Sequence, residues 1–202
     1  MGDREGGAVR AAPLVNPANA ITALRLLLVP VFVAFGAVSD FTDDAWRMAA
    51  CLVFMVASIT DWLDGYLARA NAWVTSFGKI ADPIADKALT GSALVLLSVY
   101  DRLPWWVTFV ILLREVGITL MRFWVIRYGV IAASRGGKVK TVLQIAAIAW
   151  YLWPWPASLA AVGPWLMAAA LLATVATGAD YVVRVVALRR KGRRTEEGDA
   201  RA

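Results

Sequence analysis

Residues 61–86 read DWLDGYLARANAWVTSFGKIADPIAD, and they set four aspartates, Asp61, Asp64, Asp82 and Asp86, between two apolar runs each long enough to cross a bilayer. A carboxylate inside a membrane helix costs roughly 2.5 to 3.5 kcal/mol on insertion scales, so acids at this density call for a compensating cation. At 3.6 residues per turn, Asp61, Asp64, Gly65 and Ala68 fall on one helix face. Thr75, Gly78, Asp82 and Asp86 fall on another if their segment is helical too. Two acidic faces that close on each other repel unless metal neutralises them, and an all-oxygen donor set suits Mg2+ or Mn2+ rather than zinc. The chain has no histidine, so imidazole is excluded as base or ligand. Pro83 leaves the second segment open: it either begins a helix capped by Asp82 or kinks one that starts near Thr75.

Outward from this stretch the chain stays apolar. Over 202 residues it is 60% hydrophobic and 18% charged, and its mean hydropathy of +0.61 excludes an ordinary soluble domain. The expected fold is all-α, an integral membrane bundle of six transmembrane helices near 20–38, 45–65, 83–100, 105–126, 141–157 and 164–188. A β-barrel is excluded because no stretch shows ten-residue alternation. One membrane domain is expected over 14–189, between a flexible N-terminal tail at 1–13, with no apolar core to make it a cleavable signal, and a disordered basic tail at 190–202.

Basic residues collect after the second, fourth and sixth spans, at Arg69 and Lys79, at Arg127, Arg135, Lys138 and Lys140, and at Arg189, Arg190, Lys191, Arg193 and Arg194. The opposite loops, 39–45, 100–104 and 154–163, hold Arg102 as their one basic residue. This asymmetry puts both termini and the acidic segment on the cytoplasmic side of the cell membrane. The pI of about 9.8 then reads as anchoring to anionic lipid, with no nucleic-acid motif. Trp46, Trp105, Trp106, Trp153, Trp155 and Trp165 fall at outer span ends and form an interfacial belt. The single cysteine, Cys51, lies inside the second span and is assigned to core packing.

The pattern Asp61-x-x-Asp64-Gly65-x-x-Ala68-Arg69, eight residues, then Gly78-x-x-x-Asp82-x-x-x-Asp86 resembles the signature of the CDP-alcohol phosphatidyltransferases. NPANAITALRLLLVP, TDWLDGYLAR, TSFGKIADPIADK, LLREVGITLMR and GGKVKTVLQ look like the phosphatidylglycerophosphate synthase branch, over residues 16 to 145. The resemblance implies transfer of the phosphatidyl group of CDP-diacylglycerol to glycerol 3-phosphate, with release of CMP. It implies that Asp61, Asp64, Asp82 and Asp86 bind two divalent ions, Mg2+ or Mn2+, and that Asp86 also takes the proton of the incoming hydroxyl. It assigns Asn19, Thr22, Gly65, Ala68, Arg69, Thr75 and Gly78 to the CDP-lipid, and it implies a homodimer in membrane lipid. Charge neutralisation on a pyrophosphate explains the acids without the name, since two metal ions can clamp attacking and leaving oxygens.

Arg114 and Arg122 lie eight residues apart in the fourth span, and Lys138 and Lys140 follow it. Such fixed cations suit the phosphate of glycerol 3-phosphate, and Arg25 in the first span joins them. Plainer readings stand beside these. Gly65 and Gly78 could serve close helix packing, Arg69 could be a positive-inside anchor, and Arg114 could pair internally with Glu115 or the aspartates. Within the same chemistry the alternative is a cardiolipin synthase with phosphatidylglycerol as acceptor. A divalent-cation transporter would instead place acids at mid-membrane in repeated halves, and the chain shows no repeat.

Overall fold

The computed structural model describes residues 17–71, 76–125 and 135–199, with side chains at 20–60, 84–121 and 136–189. Among these residues every regular element is a helix: α1 (Pro17–Ser39), α2 (Asp44–Asn71), α3 (Ser76–Val99), α4 (Trp105–Val125), α5 (Arg135–Leu152), the single turn α6 (Ala157–Ala160) and α7 (Val162–Asp199). The all-α expectation holds, and each expected span has its helix. Two ranges differ. α5 begins at Arg135 and stops at Leu152 rather than at 157, because the following WPWP segment holds two prolines that cannot continue a helix. α7 runs to Asp199, into the segment read as a disordered tail, since its Arg, Lys and Glu residues are sound helix formers. α3 starts at Ser76 and continues through Pro83, the second of the two readings left open for that proline. The expected tail at 1–13 lies outside the described residues.

Among the described residues two stretches, Ala20–Ser39 and Ala157–Arg189, are long and apolar enough to cross a membrane. The four long helices between them carry ionizable residues within their length. Their outward faces nevertheless remain greasy: on α4, Trp106, Phe109, Leu113, Val116 and Leu120 are exposed at steps of three and four, Leu113 by 76%. A soluble protein buries such a stripe, whereas lipid accepts it.

α1 packs on α2 and α3, α5 on α2, α3 and α7, and α4 on α3 and α7. One apolar core joins them. Phe32 of α1 meets Phe54 of α2 at 5.6 Å between ring centroids, with Leu94, Leu97, Ile111, Ile148, Leu152 and Met167 filling in around them. Cys51 is buried and sits 3.6 Å from the Ala149 carbonyl of α5, the packing role expected of it. Most buried hydroxyls close on neighbouring helices or on their own, as a membrane interior favours, Thr174 Oγ1 excepted. Ser98 of α3 and Thr108 of α4 share a 2.7 Å hydrogen bond, and Thr108 also donates to the Leu94 carbonyl.

The tryptophan end of the bundle is tied by side chains to backbone. Asp40 and Phe41 end α1 with φ of 47° and 55°, a left-handed geometry that a bulky residue adopts only when its surroundings hold it. Phe41 is buried against the Tyr100 ring, and the guanidiniums of Arg47 and Arg102 each lie 5.7 Å from its ring centre. Arg102 donates to the Phe41 carbonyl at 2.8 Å, and Arg47 donates to those of Tyr151 and Trp153. Asp43 then caps α2 by accepting from the backbone N–H of Ala45 and Trp46.

Gly36 marks the closest approach of α1 to α3, where an added Cβ would stand 2.2 Å from Leu96 Cδ2. Leu96 is itself buried and has little room to yield. Gly36→Val is therefore expected to destabilise the bundle by about 1–3 kcal/mol. Thermal unfolding in detergent checks this, and Leu96→Ala in the same chain should restore part of the loss; a Gly36→Val protein that melts with the parent would contradict the tight contact.

Candidate active site

The buried stripe of each helix changes character along its length. Toward the tryptophan end it is apolar, and toward the other end, here the motif end, it turns polar. Thr22 and Arg25 on α1, Lys140 and Gln144 on α5, and Thr174 on α7 are all buried. Asp86 on α3 and Arg114 and Glu115 on α4 are half-buried. At 1.5 Å per residue, Arg25, Asp86, Glu115, Lys140 and Thr174 lie about 15 to 21 Å from the tryptophan-end termini of their own helices. They therefore form one layer. Asp61 and Asp64 on α2 and Asp82 on α3 lie about 26 to 30 Å along, one to two turns nearer the motif end.

Within this layer a carboxylate joins three helices. Glu115 Oε1 accepts from Arg114 NH1 at 3.0 Å on its own helix and from Lys140 Nζ of α5 in a close ion pair. Lys87 of α3, the residue after Asp86, brings a further positive charge within electrostatic reach of Glu115. Each nitrogen of Arg114 is engaged. Nε donates to the Thr174 carbonyl at 3.1 Å, NH2 to Thr177 Oγ1 at 2.8 Å, and NH1 to Glu115. Gly178 leaves room for the guanidinium, since a Cβ there would stand 3.1 Å from Arg114 Cγ and 3.3 Å from Nε. Thr174, Thr177 and Gly178 thus present one face of α7 as a seat for Arg114.

The sequence-derived residues distribute as follows. Asn19, Asp61, Asp64, Gly65, Ala68, Arg69, Gly78, Asp82 and Arg122 all lie on helices, on α1, α2, α3 and α4, with their side chains outside the described residues. Thr75 lies outside the described residues altogether. Thr22 and Arg25 are buried where α1 packs on α2 and α3, and Asp86 is half-buried with its backbone carbonyl accepting from Thr90 Oγ1 at 2.8 Å. Lys140 is 7% exposed, whereas Lys138 faces outward. Arg114 and Lys140 meet through Glu115, and the internal pairing of Arg114 with Glu115, one of the two readings given for it, is the arrangement seen.

Sequence reasoning gave Glu115, Lys87, Thr174, Thr177 and Gly178 no part in the site. For Glu115 a signal existed: an acid in the middle of the fourth span is costly and needs a reason. The seat on α7 had none, because small and hydroxyl residues abound in membrane helices for packing alone.

The donor chemistry suits a hard divalent ion. α2 packs on α3, and each carries two aspartates one turn apart, while no histidine exists and Cys51 is buried in the apolar core.

The sequence model of the CDP-alcohol phosphatidyltransferase family matches residues 15–176. A probable phosphatidylglycerophosphate synthase of Mycobacterium tuberculosis is 49% identical over 175 residues, covering 87% of this chain and 84% of the relative. The CDP-diacylglycerol–glycerol-3-phosphate 3-phosphatidyltransferase of Bacillus subtilis is 39% identical over 145 residues, 67% of this chain and 75% of its own. The enzyme of the same name from Escherichia coli K12 is 39% identical over 145 residues, 68% of this chain and 77% of its own.

Proposed function

The chain belongs to the CDP-alcohol phosphatidyltransferase family, and from that premise we propose that it transfers the phosphatidyl group of CDP-diacylglycerol to sn-glycerol 3-phosphate, giving phosphatidylglycerol phosphate and CMP. The cationic layer around Asp86 carries the choice of acceptor: Arg25, Lys87, Arg114 and Lys140 outnumber the carboxylates Asp86 and Glu115 there, an excess of positive charge that suits a phosphate dianion. Phosphatidylglycerol would bring a monoanionic diester and a second lipid.

The acceptor hydroxyl attacks the phosphorus that bears diacylglycerol. The new P–O bond forms as the pyrophosphate bond breaks, and CMP leaves with the bonding electrons. Asp86 takes the hydroxyl proton. Asp61, Asp64, Asp82 and Asp86 hold Mg2+ or Mn2+, which when bound neutralise the pyrophosphate oxygens and make the acceptor hydroxyl more acidic. Thr22, Asn19, Gly65, Ala68, Arg69, Thr75 and Gly78 receive the CDP moiety, the glycines letting the nucleotide approach the backbone. Arg25, Arg122 and Lys140 take the acceptor phosphate, with Arg114 anchored on α7 beside them, while the exposed Lys138 lies on another face of α5.

The chain spans the membrane six times with both termini and this site on the cytoplasmic side, which the basic residues of the even loops support. It pairs as a homodimer, a reading that rests on the family resemblance.

Purified protein given CDP-diacylglycerol and Mg2+ should release CMP when glycerol 3-phosphate is added, and not with phosphatidylglycerol or inositol phosphate. Release with phosphatidylglycerol instead would keep the metal site and sink the acceptor assignment.

A further inference from the structure

Glu115 is a single carboxylate bonded to cations from two helices, Arg114 on α4 and Lys140 on α5, with Lys87 of α3 within longer electrostatic reach. A buried ion pair by itself contributes little stability, and hydrophobic residues of like volume replace such pairs at no loss. In this layer Arg25, Lys87, Arg114 and Lys140 outnumber the carboxylates Asp86 and Glu115, and such a surplus inside an apolar bundle is costlier still unless a further anion joins it. The surplus lies beside Asp86, because Lys87 is its neighbour in the chain. Arg114 is fixed from behind by Thr174 and Thr177, so Glu115 has an immobile partner on one side and the flexible Lys140 on the other.

We propose that Glu115 is a positioning residue for the acceptor: braced by Arg114, its carboxylate holds the Lys140 ammonium toward the phosphate of glycerol 3-phosphate while the acceptor hydroxyl meets Asp86. This rests on the acceptor assignment made above. Lys140 ends a four-carbon chain with many rotamers, and a cation fixed before the substrate arrives binds phosphate without first being ordered. Glu115 also keeps the three cations from repelling one another apart.

The test measures KM for each substrate, kcat and melting temperature of the full-length protein for Glu115→Gln, Glu115→Asp and Lys140→Gln. The Glu115→Gln variant should raise KM for glycerol 3-phosphate about tenfold or more, with KM for CDP-diacylglycerol near that of the parent, and should also lower the melting temperature, because it removes the shared partner of two buried cations. Glu115→Asp should recover most of the loss. If net charge alone governed binding, Glu115→Gln would add a positive charge and lower that KM, so a lowered or unchanged KM overturns the proposal. A parallel rise in both KM values also overturns it, since a loss not confined to the acceptor marks a merely structural pair. Should Glu115→Gln fail to fold, Glu115→Asp decides: a rise in KM confined to glycerol 3-phosphate supports the role and no rise refutes it. Lys140→Gln separates the two levels. If it leaves KM for glycerol 3-phosphate unmoved, the acceptor assignment falls and takes this role with it; if it raises that KM while the Glu115 variants do not, only the role of Glu115 falls.

Discussion

Asp86→Asn is expected to reduce CMP release by about a thousandfold or more while leaving the fold intact. The substitution keeps the shape of the side chain and removes its charge, so on the proposed mechanism it takes away a proton acceptor and a metal ligand in one step. General-base catalysis alone contributes about a hundred- to ten-thousandfold, and weakened metal binding adds to the loss. The fold should not notice. Asp86 is half-buried outside the apolar core, and its helix is held locally by the Thr90 hydroxyl on the Asp86 carbonyl, a backbone bond that Asn leaves in place. CMP release measured under saturating CDP-diacylglycerol and glycerol 3-phosphate, beside thermal unfolding of the same preparation, checks both halves. Retention of a tenth of the parental rate by a folded variant would remove Asp86 from the proton transfer.

The second large effect belongs to Arg114, and it is one of stability. Arg114→Met keeps most of the aliphatic stem and deletes the guanidinium, so α4 loses its bonds to the Thr174 carbonyl and to Thr177 on α7. It also leaves Glu115 without its brace. Removing one member of a buried charge pair costs about 3 to 5 kcal/mol, which should appear as a clear drop in melting temperature. Part of the damage is local, because Thr177 still donates to the Ala173 carbonyl at 2.7 Å. Arg114→Lys retains the charge without the planar fork, cannot reach three partners at once, and should lie between the two. A melting temperature for Arg114→Met equal to the parent's would show that the α4–α7 contact does not depend on this residue.

The helices were legible because an apolar run of about twenty residues matches the thickness of a bilayer and seldom forms anything but a spanning helix, and α1 follows its run closely. α5 was less so. Its first turns, RGGKVK, read as a polar loop, yet they are helical and bring Lys140 to Glu115. Local hydropathy records what a segment would prefer in lipid and is blind to a charge answered across the bundle. The same limit hid the role of Glu115. The aspartates announce themselves through spacing on one face, whereas the tie from Glu115 to Lys140 crosses 25 residues of chain and two helices. The α7 seat for Arg114 is a matter of packed shape, with Gly178 open where any side chain would intrude. No periodicity encodes that.

The polar layer lies about 15 to 21 Å from the tryptophan-end termini of its helices, and a bilayer's hydrocarbon is about 30 Å thick. Chemistry at that depth separates its products by solubility. The acyl chains of the donor and of the new lipid stay in hydrocarbon throughout, so the enzyme need never lift a lipid out of its leaflet, a step opposed by about 0.8 kcal/mol for every methylene exposed. Of everything that enters or leaves, only the small anions cross into water: glycerol 3-phosphate on its way in and CMP on its way out. The attraction of such anions explains why the basic residues of this chain, Arg47 and Arg102 apart, gather toward the motif end of the bundle.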